Sequence, residues 1–234
     1  MPLKKVILCL LFFIALSGCV NQPTPLAPED LPAINLKIAA PGHIPALSKA
    51  YFLRKMNSKK SLLQCLIIAQ LYESEARMEG INSDIAFAQM CLETGFLRYG
   101  GTVLPEQNNF CGLGTLNAST KGAYFNHPRE GIRAHIQHLK AYGTKEPLTT
   151  PQIDPRFHLV QRGIAPFVED LSGKWATDPK YHYKILSLLL RLLQFHYTNP
   201  NLKFPRLSGL VIQYQNQGAE YHHQVKPIPK SSHE

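Results

Sequence analysis

From Asp84 to about Glu93 the chain runs through Ile85, Ala86, Phe87, Ala88, Met90, Cys91 and Leu92, so a helix here is apolar almost all the way round. Such a helix is buried. It demands a domain with a real core, and 234 residues of which 44% are hydrophobic and 18% charged can supply one. The same composition excludes a mainly disordered, collagen-like or low-complexity chain. Asn82 or Ser83 starts the helix and Thr94-Gly95 closes it.

Helical patterns continue on either side. Ser61 is a predicted N-cap for Leu62 to Met78, where Leu62, Leu63, Leu66, Ile67, Gln70 and Leu71 recur at helical spacing, and Gly80 is the stop. Pro128 opens a helix to about Tyr142 with Ile132, Ile136 and Leu139 inward. A shorter helix is predicted over Phe157 to Gly163. The last begins at Thr177 or Asp178 with Pro179 at its first position, and its nearly unbroken aliphatic run from Ile185 to Leu193 predicts the central core helix. Residues 96–125, rich in Gly and Asn, read as loops with room for a short strand pair.

At the N-terminus, Lys4 and Lys5, the apolar stretch Val6 to Ala15 and the small residues after it read as an export signal. The apolar run is well short of the roughly 20 residues a membrane-spanning helix needs. Leu16-Ser17-Gly18-Cys19 resembles the lipobox of bacterial lipoproteins. That resemblance implies removal of residues 1–18 and acylation of Cys19, and two or more acyl chains suffice for stable anchoring to a membrane. Removal takes two lysines and no acid, so the formal charge of +9 falls to +7. A basic exported protein points to an anionic partner such as cell-wall polymer or lipid headgroups, and its address argues against nucleic acid. Residues 19–45, broken by Pro23, Pro25, Pro28, Pro32, Pro41 and Pro45, read as a semi-extended spacer. Residues 46–199 then form the domain, and 200–234 a Pro- and polar-rich tail in which Leu207 to Tyr214 alone has the character of an ordered segment.

Within the buried helix, Ala86, Gln89 and Glu93 fall on one stripe. Desolvation and the negative end of the helix dipole would both raise the pKa of a carboxyl at Glu93; the dipole contributes about 0.3–1 kcal/mol, and burial can shift a pKa by several units. A carboxylic acid kept protonated near neutrality is what a glycosidase needs to protonate a leaving oxygen. A glutamate at a helix end is also, in the ordinary case, a solvated or capping residue, and the local pattern leaves both readings open.

The segment from Ala86 to Gly95 (Ala-Phe-Ala-Gln-Met-Cys-Leu-Glu-Thr-Gly), followed by Asn108-Asn109-Phe110-Cys111-Gly112-Leu113, is similar to the signature of the peptidoglycan N-acetylglucosaminidases of glycoside hydrolase family 73. The similarity continues through Tyr124-Phe125, through Glu130 to His135, and through Lys174 to Tyr181. It implies a mainly α, lysozyme-like domain with a short loop or minimal β lobe and a cleft for glycan strands. Glu93 matches the family's general acid. Asn108, Asn109, Tyr124, Tyr181 and Gln89 become the expected substrate-binding positions, although Asn109 also reads as a turn-fixing residue, Tyr181 as packing at a helix start and Tyr124 as a core or cleft-wall aromatic. The implied activity is hydrolysis of the β-1,4 bond between N-acetylglucosamine and N-acetylmuramic acid, with no cofactor and no metal.

Two departures from the family pattern matter. Cys111 stands where the family usually has Phe, and the short stretch Leu113 to Ala123 has no Asp or Glu where many members carry a second carboxylate. Glu106 lies before the loop and Glu130 reads as a first-turn helix residue. No base or nucleophile is therefore assigned, and assistance by the substrate's own N-acetyl group, a lytic transglycosylase, and a non-catalytic wall-binding lipoprotein stay as alternatives. His127, His135, His138 and His158 show no metal-ligand spacing and read as surface or cap residues. Cys65, Cys91 and Cys111 allow one disulfide or three free thiols.

Overall fold

The computed structural model describes residues 35–115, 122–199 and 202. Its helices are Ala46–Met56 (α1), Leu62–Glu79 (α2), Ser83–Glu93 (α3), Pro128–Gly143 (α4) and Tyr181–Thr198 (α5), with short 3₁₀ turns at Pro105–Gln107, Phe157–Leu159 and Val168–Leu171. Among the described residues there is no named strand, only the isolated bridges Lys37 to Phe167 and Ser172 to Ala176. The domain is mainly α. None of these helices is long and apolar enough to cross a membrane. The signal, Cys19 and the segment from Leu207 to Tyr214 lie outside the described residues.

The apolar helix organises the rest. Every residue of α3 from Ser83 to Cys91 is buried, with α2 and α5 packed against it. Asn82 caps its start by accepting from the Asp84 and Ile85 amides at 3.0 and 3.3 Å. In α2, Ser61 and Gln64 form a reciprocal capping box, and Gly80 ends the helix in the left-handed region at φ 68°. The inward stripe of α2 is Cys65, Ile68, Ala69, Tyr72 and Ala76, whereas Leu63 and Ile67 face outward. In α4, Ile132, Ile136 and Leu139 are fully buried, as the sequence pattern predicts. Ion pairs lock α4 to α2: Arg133 Nε donates to buried Glu75 at 2.7 Å and Lys140 Nζ to Glu79 at 2.8 Å. Burial alone would raise the Glu79 carboxyl, but hydrogen bonds from Lys140, Thr150 and Thr149 overcome it and hold the pKa at about 2.

Six expectations are corrected. The spacer does not extend to residue 45, because Ile38 and Ile44 are core residues and the Leu36 carbonyl and Ile38 amide bond to Val168 and Pro166. Prolines there shape an extended segment that packs on the domain, and α1, which the pattern did not mark, follows directly. Phe157 to Gly163 makes only a 3₁₀ turn: Leu159 is exposed, so no apolar face rewards a longer helix, and Gly163 sits at φ 73°. The last helix begins at Tyr181, because the Asp178 side chain accepts from the Lys180 amide and closes a turn before it. It is also a flank helix, with Leu190 exposed; α3 holds the centre. Where a strand pair was expected, a single bond from the Ala123 amide to the Leu113 carbonyl (2.7 Å) ties the loop. Leu202, placed in the tail by composition, is buried.

Candidate active site

At its C-terminal end α3 delivers Glu93 out of the core. The chain then turns sharply through Gly95, Phe96 and Leu97, all in the left-handed region with φ near 60°. For two non-glycine residues this costs on the order of 1–2 kcal/mol each. Thr94 helps hold the turn: its hydroxyl donates to the Met90 carbonyl at 2.7 Å and accepts from the Leu97 amide at 2.9 Å. The result is that Glu93 is exposed although nearly all of its helix is buried.

Glu93 opens into a cavity of about 250 Å³ lined also by Cys111 to Thr115, His138, Tyr142, Arg156, Trp175 and Ala176. Crowding by these walls desolvates the carboxyl and raises its pKa; hydrogen bonds from the Tyr181 hydroxyl and the Trp175 side chain pull the other way and lose. Tyr181 donates to Oε1. The other oxygen, Oε2, faces Gly112, where a Cβ would come within 4.0 Å of it. Oε1 thus accepts from Tyr181, and Oε2 is the oxygen nearer Gly112, a residue of the cavity lining.

Behind Tyr181 runs a sealed chain of hydrogen bonds. Gln89 Nε2 donates to the Tyr181 hydroxyl at 2.9 Å, and its Oε1 lies 3.0 Å from His135 Nε2. An amide oxygen only accepts, so His135 carries its proton on Nε2 and its Nδ1 accepts from the Tyr72 hydroxyl at 2.9 Å. Every donor thus points toward Glu93. Burial, with a smaller contribution from His138, lowers the His135 pKa to about 3 and keeps the ring neutral. Gln89 and His135 are both completely buried.

The expected binding residues divide. Tyr181 is at the site, buried and bonded to Glu93. Gln89 is not a sugar contact; both ends of its amide are engaged inside the core. Asn109 is 1% exposed and holds its own loop, donating to the Leu113 and Ala123 carbonyls and accepting from the Leu113 amide. Asn108 adopts φ 49°, donates to the Phe125 carbonyl and is seated against α4 at Gly131, where any Cβ would lie 1.7 Å from the Asn108 carbonyl oxygen. Tyr124 is exposed and does not line the cavity. Glu130 accepts from the Asn126 amide, and neither it nor Glu106 lines the cavity.

Sequence reasoning missed His138, Arg156, Tyr142 and the position of Trp175. Neither His135 nor His138 is a surface or cap residue. His138 Nδ1 lies 2.8 Å from Oδ2 of fully buried Asp154, and its ring packs edge-on against Trp175 and Tyr142. Among the described residues no cluster of three metal-ligating side chains occurs. Cys65, Cys91 and Cys111 are free and buried. Burial, then the charges of Glu93 and Asp154, push the Cys111 thiol pKa well up, so it lines the cavity as a neutral group.

Comparison with known proteins bears on this arrangement. A family model described as Glucosaminidase (Mannosyl-glycoprotein endo-beta-N-acetylglucosaminidase) matches residues 69–194. An uncharacterized protein of Borreliella burgdorferi is 50% identical over 132 residues, covering 56% of this chain and 65% of that protein, so the chain spans about two thirds of its relative. Among solved structures, S. aureus autolysin E in complex with the muropeptide NAM-L-Ala-D-iGlu is similar at 12% identity with a TM-score of 0.44, over 70% of this chain and 74% of that one.

Proposed function

The chain belongs to the glucosaminidase family, and on that premise we propose that it is a lipid-anchored endo-β-N-acetylglucosaminidase that hydrolyses the β-1,4 bond between N-acetylglucosamine and N-acetylmuramic acid in peptidoglycan. The observation that carries this reading is Glu93: a carboxyl with raised pKa that accepts from Tyr181 on Oε1 and lines a cavity. Glu93 protonates the glycosidic oxygen as the bond to the anomeric carbon breaks, and Tyr181 then stabilises the carboxylate left behind. Arg156 gives the cavity a cation suited to the acidic groups of a muropeptide.

Anchoring rests on Leu16-Ser17-Gly18-Cys19, whose likeness to a lipobox supports export and attachment to a bacterial membrane through acylated Cys19. Metabolic labelling with a fatty acid tests it: the wild type takes up label and Cys19→Ala takes up none, whereas equal label on both contradicts it.

Incubation of the purified protein with purified peptidoglycan, followed by mass spectrometry of the released fragments, tests the activity. Fragments with reducing N-acetylglucosamine ends support it. One observation favours a second reading, a lytic transglycosylase: Glu93 is the sole carboxylate among the cavity residues. Anhydro-muramic ends would establish that instead.

A further inference from the structure

A hydrolytic glycosidase needs, besides its acid, a group that activates water at the opposite side of the sugar. Among the described residues no second carboxylate lines the cavity, but a second chemical group does. His138 lies on the cavity wall, 8% exposed, and its Nδ1 is fixed against Asp154 at 2.8 Å. Asp154 is itself held: its Oδ1 accepts from the Arg156 amide at 2.8 Å, and its own amide donates to Gln137 Oε1 at 3.0 Å. A carboxylate accepts, so Nδ1 bears the proton and Nε2 carries the lone pair. Among the described residues Nε2 has no protein partner, and it is not among the buried polar atoms left unsatisfied. It is therefore open to the cavity that its ring lines. Trp175 touches both groups: its indole packs 5.0 Å from the His138 ring, centroid to centroid, and also bonds to Glu93.

We propose that His138, oriented by Asp154, is the second catalytic group, a general base that takes a proton from the attacking water while Glu93 protonates the leaving oxygen. The proposal rests on the glycosidase reading above. Water's oxygen bonds to the anomeric carbon as the carbon–oxygen bond to the leaving sugar breaks. One water proton goes to His138 Nε2, and the Glu93 proton goes to the leaving oxygen. The products are a sugar hydroxyl of inverted, α configuration, a free sugar alcohol, an imidazolium and a carboxylate. Proton exchange with solvent restores both groups. The groups facing His138 are Asp154 on Nδ1; Glu93, Arg156, Tyr142 and Cys111 around the cavity; and His135 one turn earlier on α4.

The test uses the full chain on purified peptidoglycan. Nuclear magnetic resonance of the first wild-type product should show the α anomer. His138→Gln should lose about 10²–10³-fold in reducing-end release with its thermal midpoint kept, and should recover in sodium azide with formation of an α-glycosyl azide, since azide needs no base. His138→Asn repeats the test if Gln disturbs folding, and the wild-type anomer reads out whatever the variants do. A β anomer first, anhydro ends, a variant within threefold of wild type, or no azide recovery would each overturn the proposal. The failures are distinguishable: no cleavage by the wild type sinks the glycosidase reading too, whereas cleavage with a β anomer sinks only the role of His138.

Discussion

Helix α4 presents two histidines three residues apart, and they are built for different tasks. His135 is fully buried with both nitrogens engaged, Nδ1 by Tyr72 and Nε2 by Gln89, and its pKa is lowered to about 3. His138 has one nitrogen engaged, by Asp154, and its ring on the cavity. What separates them is the partner, not the residue. A histidine between a hydroxyl donor and an amide acceptor is a fixed spacer that cannot gain a proton without losing the buried hydrogen bond it accepts. One held at a single nitrogen by a carboxylate keeps a site free to work. Trp175 lies against both rings, so the sealed side and the open side share a wall.

The sealed side is where stability should be lost. His135→Leu leaves the Tyr72 hydroxyl and the Gln89 carbonyl buried without partners, at about 1–3 kcal/mol each. A net loss of about 3 kcal/mol should lower the thermal midpoint by roughly 6–12 °C. The pH dependence follows from sign: a folded-state pKa of about 3 lies below the unfolded value. The stabilisation is thus complete above about pH 6.5 and is lost as pH falls toward 3. Calorimetry across that window should show a steep acid loss in the wild type and a shallower one in the variant. An unchanged midpoint would mean that the buried chain does not hold the core.

Tyr181→Phe cuts the link between the two sides and should act more gently. Removing the donor on Oε1 removes an influence that lowers the Glu93 pKa, so the carboxyl should stay protonated to higher pH. The alkaline limb of kcat/KM should move up, with about a tenfold loss in rate as the acid loses its orientation. A limb that moves down would show that Tyr181 does not donate to Glu93.

How far this could be seen beforehand depends on whether the information was local. Ser61, Gln64 and Gly80 bracket α2, and Asn82 and Thr94 bracket α3, because caps and stops act on their own neighbours. Glu93 could be singled out because its motif is contiguous, and the structure puts it on the cavity wall. Helix α1 was not, because Pro45 offers no capping side chain and its buried set includes Ser48 and Lys49, which blur the apolar stripe. Lys49 is buried only because Asp84, 35 residues on, pairs with it at 2.7 Å. The cavity was hidden for the same reason: Glu93, Cys111, His138, Arg156 and Trp175 converge from five separate segments. Gln89 was expected as a sugar contact, and Asn109 as a sugar contact or a turn-fixing residue, because a polar residue beside a catalytic motif looks the same whether it faces substrate or satisfies the core; the structure engages both inside the fold.

The central claim, that Glu93 gives the proton that breaks the glycosidic bond, is tested most directly by the rate of reducing-end release from peptidoglycan by Glu93→Gln. Glutamine can still accept from Tyr181, so the fold should persist by circular dichroism, but it has no acid proton to transfer. The expected loss is about 10²–10⁴-fold, roughly 3–5 kcal/mol of barrier. A folded Glu93→Gln protein that turns over at near the wild-type rate would contradict the assignment.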